Sequence, residues 1–143
     1  MGVFILVNSR SLSDLNPKVA ALCSEFINQC KAQNIDVIIT STYRDSESQN
    51  ALYAQGRTTG GKIVTNAKAG QSFHNWKVAF DFCPIVNGKC QWSDTDLFVQ
   101  CGHIAESVGL EWAGRWTGKF REMAHCQFTD GLTLTDFQSG KTL

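Results

Sequence analysis

The stretch VAFDFCPIVNGKCQW, from Val78 to Trp92, contains two apolar segments on either side of Asn87-Gly88. An asparagine–glycine pair favours the tight turn of a β-hairpin, because both residues tolerate the positive φ angles that this turn requires. The flanking segments predict the two strands of the hairpin, at residues 78–82 and 88–92. An antiparallel hairpin is therefore the starting point for the fold.

Helical patterns lie on both sides of the hairpin. Apolar residues between Leu12 and Cys30 recur at three- and four-residue steps, and Asn16-Pro17 supplies a cap followed by a first-turn proline. This pattern predicts a long amphipathic helix. A short helix is predicted from Asp45 to Gln55, and a third one is predicted to be capped by Ser93 and to end at Gly109.

The remaining segments complete an α+β pattern. Two further strands are predicted at Ile35–Thr40 and Ala124–Phe128. Residues 57–70 are rich in Gly, Thr, Lys and Asn and predict a long surface loop, and residues 129–143 are expected to wrap the surface or fray. The expected fold is a small, largely antiparallel sheet with flanking helices.

The composition predicts one domain that spans residues 1–143. Thirteen basic residues balance thirteen acidic ones, and this formal net charge of zero argues against binding to nucleic acid. The longest apolar run, Val3–Val7, is too short to cross a membrane and is expected to form a strand or a packed end. No signal peptide is recognisable, so we expect a monomer that is made in the cytoplasm and does not insert into membranes.

The six cysteines form no C-x-x-C pair, which argues against zinc-finger and thioredoxin-like sites. We expect mostly reduced, buried thiols. A disulfide between Cys83 and Cys90 is the alternative, because the Asn87-Gly88 turn would bring their segments together.

Two of the three histidines lie near carboxylates in the sequence: His74 precedes Asp81, and His125 follows Glu122. Two imidazoles and one carboxylate form a three-ligand catalytic zinc site, and a second carboxylate can act as the base. The seven-residue spacing of His74 and Asp81 would place them on opposite faces of a straight strand, so a bend must separate them. Spacing alone leaves open the alternative of structural histidine–carboxylate pairs.

The pattern Ser72-x-His74-x6-Asp81, followed by Glu122-x-x-His125 and preceded by Ser41-Thr42-Tyr43-Arg44, resembles the zinc peptidases of the D-alanyl-D-alanine carboxypeptidase family. The resemblance is greatest to its L-alanyl-D-glutamate endopeptidase branch, which includes phage endolysins. Further matching segments are Arg10-Ser11-Leu12, residues 51–57, residues 109–112 and residues 125–127.

The resemblance implies a role for each of these side chains. His74, Asp81 and His125 would bind Zn²⁺, Glu122 would be the catalytic acid and base, and Arg44 would face the scissile carbonyl. Two further residues would contribute to substrate binding. These are Ser72, which would orient the loop or the substrate, and Trp112, which would form a wall of the pocket.

The implied activity is zinc-dependent cleavage of the L-alanyl-D-glutamate bond in peptidoglycan stem peptides. The protein is expected to be a phage or prophage endolysin that lyses bacteria after its release from the host cytoplasm to the cell wall. The alternatives are a D-alanyl-D-alanine carboxypeptidase or dipeptidase and a non-catalytic zinc domain that binds the wall. Two positions depart from the family pattern: Lys77 replaces a usual glycine, and Cys126 replaces a usual aromatic residue.

Overall fold

The computed structural model describes residues 8–143, apart from the side chain of Lys119. The expected strand or packed end at Val3–Val7 lies outside these residues. The described chain forms one antiparallel sheet with helices packed around it, which confirms the α+β prediction. The strands are β1 (Asp36–Ser41), β2 (Ala79–Val86), β3 (Lys89–Cys90), β4 (Glu111–Trp112) and β5 (His125–Gln127), and the helices are α1 (Pro17–Ala32), α2 (Ser46–Ala54), α3 (Thr95–Ser107) and α4 (Leu134–Gln138).

Strand β2 is the centre of the sheet, because it pairs with β1, β3 and β5, while β4 extends the sheet beyond β5. The predicted turn is confirmed, with φ angles of 52° at Asn87 and 76° at Gly88, but the strand bounds differ from those predicted. Strand β2 continues to Val86, which pairs with Lys89, and the residues predicted as the first hairpin strand pair instead with β1 and β5. On its other edges, β2 places Asp81 opposite Ser41 and opposite His125. The central strand therefore carries a carboxylate between two neighbouring strands.

Helix α1 covers one face of this sheet. The Asn16 side chain accepts a hydrogen bond from the Lys18 backbone N–H, as a cap does, and Pro17 is the first helical residue. On the inner face, the ring of Phe26 lies 5.8 Å from that of Phe80 and 5.0 Å from that of Phe82. These apolar contacts with β2 give the predicted amphipathic helix its buried side.

Helix α3 begins one residue later than predicted. Asp94, rather than Ser93, is its cap, and the Asp94 carboxylate accepts from the Leu97 backbone N–H at 3.1 Å. A charged carboxylate at this position also interacts favourably with the partial positive charge of the helix N-terminus. At Gly102, a Cβ atom would lie 2.2 Å from the indole of Trp112, so only glycine lets β4 pack so closely on α3.

Residues 129–143 contain the short helix α4, which the sequence did not predict. Its Phe137 is buried, with the ring 6.1 Å from that of Phe73 and 6.2 Å from that of Trp76. Most of the other residues of this segment are exposed. The segment is attached to the domain through Phe137 and through the Gln138 side-chain amide, which donates to the Gly70 carbonyl at 2.9 Å.

All six cysteines are free thiols, and five of them are buried while Cys90 is exposed. This agrees with the expected reduced state, and the alternative bridge between Cys83 and Cys90 is not formed. Among the residues that the structure describes, no helix is both long enough and apolar enough to cross a lipid bilayer.

Candidate metal centre

His74 lies in a short 3-10 helix, Phe73–Trp76, that precedes β2. The Ser72 hydroxyl caps this helix by accepting from the His74 backbone N–H, and the next residue, Lys77, has a left-handed φ of 64°. This is the bend that the odd spacing required. It turns the His74 ring back over β2, so that Nε2 lies 3.1 Å from Asp81 Oδ1.

The two imidazoles meet the Asp81 carboxylate from opposite sides. Nδ1 of His74 lies 2.8 Å from the Thr42 carbonyl oxygen, to which it donates, so Nε2 is left with a lone pair that faces Asp81. His125 faces Asp81 across the β2–β5 pair, and its Nδ1 lies 3.3 Å from Asp81 Oδ1. The two histidine rings are in T-shaped contact, with centroids 5.1 Å apart.

These three residues fit a zinc ion. One nitrogen from each histidine and one Asp81 oxygen all lie within 4.8 Å of one another. Nδ1 of His125 is buried and has no hydrogen-bond partner among the described residues, although a buried ring nitrogen usually has one. Two imidazoles and a carboxylate are a donor set that catalytic zinc sites use, with a further position left open.

The cluster also shifts the pKa values of its members. Burial raises the pKa of Asp81, but the His74 and His125 rings outweigh this effect and hold the pKa well below its usual range. Burial lowers the pKa of His125, whereas Asp81 and then Glu122 raise it, and the net shift is upward. A concentrated negative charge therefore faces the two rings, as a cation site requires.

Glu122 lies at the edge of this cluster, in the turn that leads into β5. The His125 backbone N–H donates to the Glu122 carbonyl at 3.4 Å, and this turn brings Glu122 Oε2 to 3.6 Å from His125 Nδ1. The Glu122 side chain is 59% exposed, in contrast to the buried histidines. Its carboxylate can therefore contact both solvent and a molecule bound beside the cluster.

Arg44 approaches the cluster from the end of β1. Its Nη1 donates to Gln49 Oε1 at 3.0 Å and its Nη2 donates to Ser41 Oγ at 3.2 Å. Burial lowers the pKa of the guanidinium, while Asp81 and Glu122 counteract this effect. Gln49 is fully buried, and sequence reasoning missed it because a single glutamine in an amphipathic helix carries no distinguishing signal.

An open cleft of about 1030 Å³ joins these side chains. Its lining includes the three metal-site residues together with Arg44, Ser72, Glu122, Trp116 and Val64. Trp112, which we expected on a wall of this cleft, lies instead in the core, where its indole N–H donates to the Met123 carbonyl at 2.8 Å. The neighbouring Trp116 lines the cleft, because the 3-10 helix Ala113–Arg115 turns the chain towards His125.

The loop of residues 57–70 lines the cleft with residues 64–67 and contains no helix or strand, which confirms the predicted loop. Arg57 holds it in place: Nη1 donates to the Tyr53 and Thr65 carbonyls, and Nη2 donates to Asn66 Oδ1. The Gln49 amide donates to the Ala67 carbonyl at 2.7 Å. The loop is therefore fixed to α2 through Arg57 and Gln49.

The two departures from the family pattern have separate structural outcomes. Lys77 has the positive φ that explains why glycine is usual there, and its ammonium group lies 4.9 Å from the centre of the Tyr43 ring. Cys126 is fully buried in the core, on the face of β5 opposite to His125. It does not belong to the metal cluster.

Comparisons with known proteins agree with this geometry. Residues 12–127 match the VanY family, described as D-alanyl-D-alanine carboxypeptidase. The chain is 34% identical over 130 residues to the peptidoglycan L-alanyl-D-glutamate endopeptidase CwlK of Bacillus subtilis (strain 168), which covers 80% of this chain and 74% of CwlK.

Two solved structures share the fold. The L-Ala D-Glu endopeptidase ChiX of Serratia marcescens has a TM-score of 0.63 and 16% identity, with 92% of each chain covered. The vancomycin resistance D,D-pentapeptidase VanY, in complex with Zn(II), has a TM-score of 0.59 and 13% identity, with 80% of this chain and 72% of that chain covered.

Proposed function

Because the chain belongs to the VanY family of zinc peptidases, we propose that this peptidoglycan hydrolase cleaves the L-alanyl-D-glutamate bond of stem peptides. One observation carries the proposal: the His74–Asp81–His125 cluster, a solvent-accessible carboxylate and a half-buried arginine converge in a single open cleft. The choice of bond is supported by the 34% identity to CwlK over most of the chain.

His74, Asp81 and His125 hold Zn²⁺ in this proposal. Bound zinc supplies a Lewis acid that polarises a carbonyl and lowers the pKa of water towards neutrality. Glu122 is placed to accept a proton from the attacking water, since its carboxylate reaches the edge of the cluster and is open to solvent. The same carboxylate then returns the proton to the departing amine, as a general acid.

Arg44 stabilises the negative charge that develops on the scissile carbonyl oxygen. A guanidinium remains charged at neutral pH and provides several N–H donors in a fixed plane. The Arg44 Nε atom is buried without a hydrogen-bond partner in the described residues, so the group has a donor to spare. Donors of this kind contribute about 3 kcal/mol to the stability of a transition state.

The substrate lies along the cleft between Trp116 and the loop that carries Val64. Ser72 keeps the His74 turn in shape through its cap and also lines the cleft. Every side chain that this mechanism uses comes from one chain, and we therefore expect the monomer to be active. Light scattering coupled to size exclusion, with activity measured in each fraction, tests this expectation.

The decisive experiment is mass spectrometry of purified muropeptides after incubation with the zinc-loaded protein. The expected product pair has a new amino terminus on D-glutamate and a new carboxyl terminus on L-alanine. A sample with a chelator and a Glu122→Gln variant, both of which should be inactive, are the controls. Loss of terminal D-alanine would instead assign a carboxypeptidase, and zinc binding without any cleavage would assign a wall-binding domain.

A lytic role in phage release is part of the same proposal. Cutting stem peptides breaks the cross-links that they carry, so an enzyme that reaches the wall from the host cytoplasm would weaken the whole network. The test is turbidity of a suspension of permeabilised cells after addition of the protein. Cleavage of soluble muropeptides with no fall in turbidity would argue against an endolysin and in favour of wall recycling.

A further inference from the structure

A chain of hydrogen bonds leads from the metal cluster to the cleft wall. Nε2 of His125 lies 2.8 Å from Gln127 Oε1. The Gln127 amide nitrogen donates to Glu111 Oε2 at 3.1 Å, and the Trp116 indole N–H donates to Glu111 Oε1 at 3.1 Å. The Glu111 carboxylate therefore accepts from both side chains, one with each oxygen.

Strand pairing sets up this arrangement. His125 and Gln127 are two residues apart on β5 and so lie on the same face, while Glu111 pairs directly with Gln127 across β4 and β5. Gln127 is buried, with 4% of its surface exposed. Its amide has few alternative partners, so its orientation is determined by the groups on either side.

The charge of Glu111 determines which group donates and which accepts in each of these hydrogen bonds. A carboxylate can only accept hydrogen bonds, so it must face the amide nitrogen of Gln127, and the Gln127 oxygen must then face His125. This oxygen requires a proton on His125 Nε2. Nδ1 is thereby left with a free lone pair, on the side where it lies 3.3 Å from Asp81.

We propose that Glu111 and Gln127 are positioning residues that prepare His125 for metal binding, and that Glu111 also fixes the cleft wall through Trp116. The Trp116 ring lies 5.7 Å from that of His125. The exposed Glu111 carboxylate thus fixes the metal ligand His125 through Gln127 and fixes Trp116, which faces the substrate, directly. The inference rests on the proposed metal ligands and is independent of which peptide bond is cut.

Exchanging the Glu111 carboxylate and the Gln127 amide tests the direction of donation along these hydrogen bonds. Glu111→Gln offers a single acceptor oxygen where the wild type has two, and Gln127→Leu removes the acceptor for His125. The double variant Glu111→Gln/Gln127→Glu reverses the pair: the carboxylate at 127 accepts from His125 and from the amide at 111, whose oxygen accepts from Trp116. The chain of donors and acceptors is then complete again.

The primary measurement is the zinc dissociation constant, obtained by competition with a chromophoric chelator without any substrate. Outer partners of metal-binding histidines typically change metal affinity by 10- to 100-fold. We expect Gln127→Leu to weaken zinc binding about 30-fold and Glu111→Gln about 10-fold. We expect the double variant to return to within about 3-fold of the wild type.

A second measurement reports on His125 itself. In the ¹H–¹⁵N spectrum of the zinc-loaded protein, the His125 ring proton should appear on Nε2. Its exchange with solvent should be faster in Glu111→Gln than in the wild type and slow again in the double variant. The matched control is Glu106→Gln, which removes a nearby carboxylate that pairs with Arg115 and lies outside the chain of bonds.

The outcomes separate this inference from the proposed function. If the wild type does not bind zinc, the proposed metal centre itself fails. If it binds zinc and Glu111→Gln binds equally well, the positioning role is refuted. Weakened binding that the double variant does not restore would also refute it, because a complete chain of donors and acceptors with the same net charge would then not prepare His125.

Discussion

His74 Nε2 lies 3.1 Å from Asp81 Oδ1, although seven positions separate the two residues and a straight strand would place them on opposite faces. The left-handed backbone of Lys77, with φ of 64°, makes this contact possible. One local bend at the start of β2 therefore brings together two of the three metal-site residues.

This bend predicts an unusual order of stability at position 77. Lys77→Gly should be more stable than Lys77→Ala by about 0.5–1 kcal/mol, because both variants lose the contact with Tyr43 but only alanine keeps a strained Cβ atom. Urea denaturation measures the difference. At Lys31, in the last turn of α1, the alanine variant should instead be more stable than the glycine variant, by a similar amount. If alanine is more stable than glycine at both positions, the backbone of Lys77 is not strained.

Glu122→Gln separates chemistry from metal binding. The amide cannot carry a proton from water to the leaving amine, so the rate of peptide cleavage should fall by about 10²- to 10⁴-fold. The zinc content should remain one ion per chain, because the three metal-site residues are intact. Hydrolysis rates and metal analysis on the same preparation test both points, with the exposed Glu47→Gln as the matched control. Full activity of the Glu122 variant would remove this residue from the mechanism.

Removal of zinc should destabilise the fold as well as stop cleavage. A ligand present at a thousand times its dissociation constant stabilises the native state by about 4 kcal/mol, which corresponds to a shift in Tm of roughly 10 °C. Thermal denaturation with and without a chelator measures this shift, and added zinc should reverse it. Asp81→Asn should show little response to either treatment. An equal response in that variant would mean that zinc binds elsewhere.

Gly102→Ala should destabilise the protein, although alanine is the better helix former. The added methyl group would collide with the Trp112 indole, and such overpacking costs about 1–3 kcal/mol. Urea denaturation provides the measurement, and the exposed Gln100→Ala in the same helix should change the stability little. A gain in stability at Gly102 would show that α3 and β4 are less tightly packed.

The thiols should differ sharply in their reaction with a disulfide reagent at pH 8. Burial raises the pKa of Cys23 to about 12, and burial together with a contact to Cys90 raises that of Cys83 to about 12. Since the thiolate is the reactive form, these groups should stay inert while the exposed Cys90 reacts. Cys90→Ser should abolish the fast phase, and unfolding should expose the five remaining thiols. Several fast thiols in the native wild type would contradict the burial.

The parts of the fold that the sequence predicted are those with a local chemical signal. Asn87-Gly88 specifies its turn and Asn16-Pro17 its helix start, because the required φ angles and caps depend on adjacent residues. Strand β4 has two residues and α4 has five, and such short elements carry no periodic pattern. They form because Trp112 and Phe137 pack against residues from other parts of the chain.

The same distinction applies to the site. His74, Asp81, Glu122 and His125 could be identified because their residue types suit metal chemistry and their pattern resembles that of a zinc peptidase family, whereas spacing alone left structural pairs open. The partners that orient them could not be identified, since they are ordinary polar residues: the role of Gln49 arises from the packing of α2, and those of Gln127 and Glu111 arise from strand pairing. For the aromatic wall, the sequence pointed to Trp112, and the structure places Trp116 there.

The attachment of residues 57–70 through Arg57 and Gln49 has a consequence for altering this protein. These bonds reach back to α2, whereas the metal-site residues are carried by β2, β5 and the turn before β2. The loop is joined to the reactive centre beyond Asn66, where Gln49, which also binds Arg44, contacts Ala67 and where Gly70 bonds to Asn75. Segments of different length and chemistry can be grafted between Arg57 and Asn66 to recognise other peptides, while the reactive centre keeps its geometry.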